Sequence, residues 1–147
     1  QILAREEYIG SDPELILGAI SDRLPLLRGG PPLHYPDFMF QYREAANFPW
    51  VSQAEWLYTQ MVRWDSIEFS AEDAAAAAHV FRPDVYRSAL SGTGDDLPGA
   101  SSKVEGSLEK PISASAQQGS IVLSQNSFFD GRSFDPDDLE GYLRALP

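Results

Sequence analysis

The spacing of apolar residues predicts a series of short helices, and the clearest pattern follows Pro49. Ser52 and Glu55 have the spacing of a capping box, in which two side chains satisfy backbone N–H groups at the start of a helix. The apolar positions that recur at intervals of three and four residues are Ala54, Leu57, Tyr58, Met61 and Val62. We predict that these residues form the core-facing side of a central helix. Trp56 and Trp64 lie off this face, which indicates burial on a second side.

Two helical segments are predicted before the central helix. Residues 2–8 have the pattern of the last turns of a helix, which Gly10 closes in a left-handed conformation. The next helix begins at a second capping box, formed by Ser11 and Glu14, and ends at Pro25. Its apolar stripe consists of Leu15, Ile16, Ala19 and Ile20.

The remaining segments around the central helix alternate between loop and helix. Residues 28–36 contain Gly-Gly-Pro-Pro and are predicted to be a loop. Residues 38–42 are predicted to be a short strand or an extended segment. After the central helix, Ser70 is expected to cap a helix over residues 71–81, and residues 83–90 are expected to form another helix.

The composition of the chain changes at residue 91. Residues 91–119 are rich in glycine, serine and proline and contain no aromatic residue. A stretch of this length without a predicted element is unusual inside a compact domain. We predict that it is a surface excursion, and the alternative is a loop that faces a ligand.

One hairpin and one helix are expected in the C-terminal part. Residues 121–123 and 128–129 flank a Ser-Gln-Asn-Ser turn, as in a β-hairpin, and Asp135 opens a helix that ends near Leu146. The predicted fold is therefore mainly α with a small β-hairpin. We expect a single, partial domain over residues 1–147. Its predicted parts are a helical core, the surface excursion and a region with the hairpin and the last helix, over residues 1–90, 91–119 and 120–147.

The charge of the chain limits its partners. The 147 residues carry a formal net charge of −11, which repels nucleic acid and anionic membrane surfaces. A small anionic ligand remains compatible, because solvent screens distant charges and one nearby lysine outweighs them. No apolar run approaches the roughly 18 to 20 residues that span a bilayer, so no direct membrane insertion is expected.

No constellation of catalytic or metal-binding residues is apparent. The chain has no cysteine, and His34 and His79 lack a second ligand at helical spacing, so no metal site is predicted. The acidic run at residues 130–138 lacks the order of a calcium loop, and helix capping by Asp135 explains its charges. No serine has a base that could activate it. We therefore predict no catalytic residue, no metal, no cofactor and a protein that is not an enzyme.

Three residues are candidates for ligand contacts. Trp50 offers a stacking surface, although tryptophans at helical spacing more often belong to a core. Arg63 and Lys103 are the cations nearest to conspicuous motifs, and a lysine can hold a small anion as a point charge. The alternative for Lys103 is a solvated side chain in a loop rich in glycine and serine.

Eight short phrases occur together along the chain. Their positions are 4–10, 12–14, 36–38, 46–50, 60–64, 82–86, 102–106 and 129–136. In this order they resemble a stretch near the C-terminal end of substrate-binding proteins of ABC importers for nitrate, bicarbonate or sulfonate. The resemblance covers most of the chain. Its specificity comes from the joint order of the phrases, because each phrase alone is short.

The resemblance implies an α/β two-lobed periplasmic-binding-protein-like fold, of which this chain is the C-terminal helical portion. It also implies a small anion as the ligand, an ABC permease in the membrane as the partner, and a periplasmic location. Most residues that line the ligand cleft then lie outside this chain, so the chain alone is expected to bind anions weakly or not at all. The start at Gln1, without methionine or targeting signal, favours part of a longer protein.

Two alternatives remain open. Versions of the family that are fused to cytoplasmic transport ATPases, or work beside them, imply a ligand-sensing regulatory or interaction module of the same fold in the cytoplasm. A related enzyme of pyrimidine-precursor synthesis would need histidine and cysteine chemistry that this chain lacks.

Overall fold

The computed structural model describes residues 2–21, 23–34 and 43–145. The chain divides into two compact units, Gln1–Gln41 and Tyr42–Pro147, where the sequence predicts one domain. Within the described ranges, helices form most of the regular structure and are accompanied by two small hairpins. None of the described helices has the length and apolar character needed to cross a bilayer.

The described residues of the first unit form a short 3₁₀ helix, one α-helix and a two-stranded sheet. Its elements are the 3₁₀ helix Ile2–Ala4, α1 Pro13–Ile20, β1 Arg23–Pro25 and β2 Pro32–His34. The two strands pair antiparallel, with Leu24 opposite Leu33. Gly10 has the predicted left-handed conformation, with a φ of 62°.

Four predictions for this unit are wrong in detail. The first is the end of α1, which lies at Ile20, because Pro25 belongs to β1. Only Ile2–Ala4 is helical within residues 2–8. Asp12 caps α1 in place of the predicted Ser11–Glu14 box, because its carboxylate accepts the Glu14 N–H at 2.8 Å. Part of the predicted loop forms β2, since pairing with β1 satisfies its backbone groups. The segment 38–42, predicted to be extended, lies outside the described residues.

Residues 43–145, the described part of the second unit, form four α-helices and a second hairpin. A 3₁₀ helix at Arg43–Ala45 precedes α2 Val51–Arg63, α3 Ala71–Ala78, α4 Pro83–Leu90, β3 Ile112–Ser115, β4 Ser120–Leu123 and α5 Leu139–Arg144. The bounds of α4 match the predicted helix. Ser70 caps α3 as predicted, because its hydroxyl accepts the Asp73 N–H at 3.2 Å. α3 ends earlier than the predicted residue 81.

An aromatic cluster forms the core of this unit. Phe48 lies edge-on to Trp50, with 4.7 Å between ring centroids, and edge-on to Tyr86 of α4 at 5.6 Å. Leu123 of β4 belongs to the same buried cluster. Edge-to-face aromatic pairs contribute about 0.5–1.5 kcal/mol beyond the burial of their area. The segment that leads into α2 is therefore anchored in the core.

The buried side of α2 agrees with the predicted face at Ala54 and Tyr58 and differs from it at Leu57 and Met61. Leu57 and Met61 are 50% and 47% exposed, and the buried residues are Ser52, Ala54, Tyr58, Thr59 and Gln60. The helix also begins before the predicted Ser52–Glu55 capping box, with Trp50 at its N-cap. Polar residues occupy the buried side because they find partners there. The Tyr58 hydroxyl, for example, accepts the Ser70 N–H at 2.8 Å and donates to the Ser70 carbonyl at 3.0 Å.

The hairpin of this unit lies earlier in the chain than predicted. β4 pairs with β3, with Ala114 opposite Ile121, and does not pair with residues 128–129. The connection is short, and in it the Ala116 N–H donates to the Gly119 carbonyl at 3.0 Å. Short connections are preferred in antiparallel hairpins, which explains why β4 pairs backward along the chain.

Residues 91–119 are also more than a surface excursion. Leu97 and Glu105 are buried, and backbone bridges join Pro98 to Ala116 and Glu105 to Phe134. In these bridges, backbone groups form hydrogen bonds within the protein, whereas those of a surface loop would bond to water. The segment is therefore an integral part of the second unit.

The last helix starts later than predicted. Asp138 caps α5, because its carboxylate accepts the Gly141 N–H at 2.9 Å. Asp135 instead accepts the Asp137 N–H at 3.0 Å in the turn before the helix. The predicted end near Leu146 lies outside the described residues.

Candidate functional site

A buried carboxylate organises the main polar cluster of the second unit. Glu105 is almost completely buried. Three donors reach its carboxylate: the Ser52 hydroxyl at 2.8 Å, the Asn126 amide at 3.0 Å and the Lys103 ammonium, with which it forms an ion pair. These residues come from the first turn of α2, from the loop before β3 and from the segment after β4. We refer to the four residues as the Glu105 cluster.

Backbone hydrogen bonds hold the segments of the Glu105 cluster in place. Glu105 and Phe134 exchange two backbone bonds of 2.9 Å. The Gly106 N–H donates to the Asn126 side-chain oxygen at 2.9 Å, which orients the amide nitrogen toward Glu105. The charge of Glu105 is therefore compensated by groups that are themselves fixed.

A cavity of about 120 Å³ lies beside the Glu105 cluster. Its polar and aromatic lining includes Glu44, Trp50, Gln53, Lys103, Ser124, Gln125 and Asn126. The Lys103 ammonium lies 5.3 Å from the centroid of the Trp50 ring, within the range of a cation–π interaction. Its side chain is only 17% exposed. The structure thus brings together two of the three candidate ligand residues, in what we call the Lys103 cavity.

The charges around the Lys103 cavity do not favour an anion by themselves. Glu105 pairs directly with Lys103, and Glu44 adds a second negative charge to the lining. An anion placed there would meet one positive and two negative side chains. Amide groups supply hydrogen-bond donors, but the excess of positive charge that makes a strong anion site is absent from the described lining.

The third candidate, Arg63, lies apart from the Lys103 cavity. It belongs to the last turn of α2, where it reaches the Gln60 side chain at 3.5 Å. His34 and His79 are both exposed. Among the described residues, no group of three or more histidines, cysteines or acidic residues has the arrangement of a metal site.

Arg87 was not a candidate in the sequence, yet it holds the loop that leads to Lys103. Its guanidinium lies 4.9 Å from the centroid of the Phe48 ring. The groups that accept its hydrogen bonds are the carbonyl oxygens of Pro98 at 2.9 Å, Gly99 at 3.2 Å and Ala100 at 2.5 Å, and the Ser101 hydroxyl at 3.0 Å. This clamp depends on tertiary structure, and no local pattern reveals it.

Glu105 was also missed, although the sequence contains a signal. Lys103 and Glu105 are two residues apart, so in an extended segment their side chains point to the same side. This spacing therefore indicates that the two opposite charges can pair. Asn126 and Ser52 carry no comparable signal.

The chain resembles known nitrate transport proteins at low identity. It is 28% identical over 153 aligned residues to the nitrate/nitrite binding protein NrtA of Synechococcus elongatus, covering 99% of this chain and 29% of the relative. It is 27% identical over 104 residues to the NrtA of Synechocystis sp., and this alignment covers 69% of this chain and 19% of the relative. It is 27% identical over 145 residues to the nitrate import ATP-binding protein NrtC of Synechocystis sp., and this alignment covers 98% of this chain and 18% of the relative.

The chain therefore spans less than a third of the length of the curated relatives that it matches. No family model matches the chain, and no solved structure matches it significantly. The similarities associate the chain with nitrate transport proteins of two kinds, a binding protein and an ATP-binding protein.

Proposed function

We propose that this chain is the C-terminal portion of the substrate-binding component of an ABC importer for a small anion of the nitrate, bicarbonate or sulfonate type. The observation that supports the proposal most is the alignment with the nitrate/nitrite binding protein NrtA over 99% of this chain. In this proposal the protein is not an enzyme and works in the periplasm. Its partners are the anion and the permease in the membrane.

The chain then serves as the helical portion of an α/β two-lobed periplasmic-binding-protein-like fold. Most contacts to the anion come from other parts of the parent protein, because the positive charge of Lys103 is already compensated by Glu105. A small ligand offers few atoms, so its affinity depends on donors that converge in a closed site. The parent captures the anion by closing its cleft and then docks to the permease. The aromatic core and the Glu105 cluster give this portion its rigidity.

A second candidate is a cytoplasmic ligand-sensing regulatory or interaction module of the same fold. The similarity to the ATP-binding protein NrtC favours it, because that alignment covers 98% of this chain at 27% identity. A module similar to both kinds of protein is suited to sensing an anion next to a transport ATPase as well as to delivering it.

Calorimetric titration at low ionic strength tests the first proposal. The full natural polypeptide and the 147 residues alone are each titrated with nitrate, bicarbonate and a simple sulfonate. We expect the full polypeptide to bind one of the anions and the 147 residues to bind it weakly or not at all. Fractionation of the native cells then separates a periplasmic component from a cytoplasmic module.

Two results would contradict this assignment. Micromolar binding by the 147 residues would mean that a complete site lies within them. The double variant Lys103→Met/Glu105→Gln, which removes the cation without leaving a buried carboxylate uncompensated, would then abolish that binding. Arg63→Met, which removes a cation away from the Lys103 cavity, would serve as its control. The absence of binding by the full polypeptide would contradict a role in capturing or sensing these anions and would favour an interaction module that does not bind them.

A further inference from the structure

A larger cavity, of about 310 Å³, also adjoins the Glu105 cluster. Its walls are apolar and mostly aromatic, and its polar residues are few. The lining consists of Gln53, Trp56, Leu57, Phe81, Glu105, Asn126 and Phe128. Pockets for small molecules range over about 300–1,000 Å³ and combine apolar walls with a few convergent polar groups. We call this space the aromatic cavity.

The aromatic wall of this cavity is built before any ligand arrives. Trp56 and Phe128 stack with 5.1 Å between their centroids and 20° between their planes. The Trp56 indole N–H donates to the Tyr142 hydroxyl at 3.2 Å, which fixes the orientation of the ring. The two rings therefore hold each other in place, and little ordering of these side chains is needed when a ligand enters the cavity.

The polar end of the aromatic cavity is an acceptor. A carboxylate has about four acceptor positions, and the described donors to Glu105 are Ser52, Lys103 and Asn126. The Asn126 amide is itself committed to Gly106 and Glu105. Glu105 thus keeps room for one more donor among the described contacts. Gln53 adds a neutral amide to the lining.

We propose that the aromatic cavity binds a small, uncharged, planar molecule that carries an N–H donor, such as a primary carboxamide. The ring lies against the aromatic wall, the N–H group donates to Glu105, and the carbonyl accepts from the Gln53 amide. An anion is rejected by the carboxylate. A cation gains little over a neutral donor, because Lys103 already compensates the charge of Glu105.

This proposal is independent of the anion function. The aromatic cavity contains neither Lys103 nor Trp50, the two candidate anion contacts. Its ligand has no charge, so titration with an inorganic anion does not report on it. Either proposal can fail while the other holds.

The experiment uses the full natural polypeptide labelled with ¹⁵N at the tryptophan indoles. The probe is benzamide, and benzoate is its control, because it has the same ring with a carboxylate in place of the amide. We expect benzamide to shift the Trp56 indole signal with a dissociation constant in the millimolar range. Trp50 and Trp64 do not line the aromatic cavity and should stay unshifted. Single Trp→Phe variants assign the signals.

Two matched variants test the polar contacts. Gln53→Leu should weaken benzamide binding about tenfold, as expected for the loss of one hydrogen bond in a partly closed site. Gln125→Leu makes the same change in the lining of the Lys103 cavity only and should leave binding unchanged. The proposal is overturned if Trp56 does not respond, if benzoate binds as well as benzamide, or if both variants weaken binding equally.

Discussion

The buried carboxylate of Glu105 shows how one residue determines which side chains must lie next to it. A buried carboxylate is tolerated only when hydrogen bonds and a countercharge replace the water that it loses. Here Lys103 supplies the countercharge, and Ser52 and Asn126 supply neutral donors. The same arrangement that makes Lys103 a poor anion contact makes it important for stability.

Removing Lys103 alone should destabilise the protein more than removing both charges. We expect Lys103→Met to lower the free energy of unfolding by roughly 3–5 kcal/mol, because it leaves the Glu105 carboxylate buried without its countercharge. The double variant Lys103→Met/Glu105→Gln should recover a large part of this loss, since a neutral amide is easier to bury. Urea unfolding measures both. Equal losses in the two variants would contradict a role for the uncompensated charge.

Gly106 offers a second test at the residue scale. Its φ is 75°, and an added Cβ would lie 2.6 Å from the Phe128 ring and 2.7 Å from the Arg132 carbonyl. We expect Gly106→Ala to cost about 1–2 kcal/mol for the left-handed backbone and about 1–3 kcal/mol more for the clash.

Gly131→Ala is the matched control for Gly106→Ala. Gly131 has a φ of 69°, but an added Cβ would meet no atom within 4 Å. It should therefore show the backbone cost alone in the same thermal or urea unfolding experiment. A control as damaging as Gly106→Ala would show that the contact with Phe128 is unimportant.

At the scale of elements, local signals predict the helices better than the strands. α4 has its predicted bounds because proline in the first turn and helical apolar spacing are local properties. β3 lies in a stretch rich in glycine and serine, and its pairing with β4 depends on packing that no short window contains. The exposure of Leu57 and Met61 also depends on tertiary structure. Their periodicity predicts an apolar face, but polar partners across the unit determine which side of α2 is buried.

The connection between α4 and the loop at residues 98–101 can be tested through Arg87. We expect Arg87→Lys to lower the free energy of unfolding by about 2 kcal/mol, because an ammonium cannot reproduce the fork of bonds made by the guanidinium. Arg82→Lys is the control, since Arg82 forms an exposed ion pair with Asp84. It should cost less than about 0.5 kcal/mol. Similar losses for the two variants in thermal unfolding would mean that the loop is held by other contacts.

At the scale of the whole molecule, the sequence predicted the neighbourhood of the candidate site only in part. Trp50 and Lys103 are separate candidates in the sequence and are neighbours in the structure. Their role as ligand contacts stays a prediction. The pairing of Glu105 with Lys103 has a local signal, but its partners Ser52 and Asn126 lie 53 and 21 positions away and have none. The periplasmic-binding-protein-like fold likewise stays a proposal.

The partly buried carboxyl group of Glu55 should make the stability of the molecule depend on pH. Burial, and secondarily the charge of Asp137, raise the pKa of Glu55. A carboxyl group with a raised pKa in the folded state has no effect on stability below its unfolded pKa. It destabilises the fold as pH rises through the folded value. Glu55→Gln should therefore stabilise the protein at pH 7 and have little effect near pH 3.

The gain at pH 7 should not exceed about 0.5 kcal/mol, because Glu55 is only partly buried and solvent still screens its interactions. Glu68→Gln removes the same charge from an exposed residue and controls for the net charge of −11. Melting temperatures at the two pH values give the comparison. A gain that is the same at both pH values would rule out ionisation as its origin.

The Glu105 cluster also has a consequence for folding. Its bond between Ser52 and Glu105 closes a long loop, and contacts of large sequence separation form late and slowly. We expect the amide protons of Glu105 and Phe134, which bond each other's backbones, to exchange with deuterium only when the whole second unit opens. The amides of α1, in which no residue is buried, should exchange by local fraying. A cluster that was built to bury one charge thus ties the second unit into a single cooperative folding step.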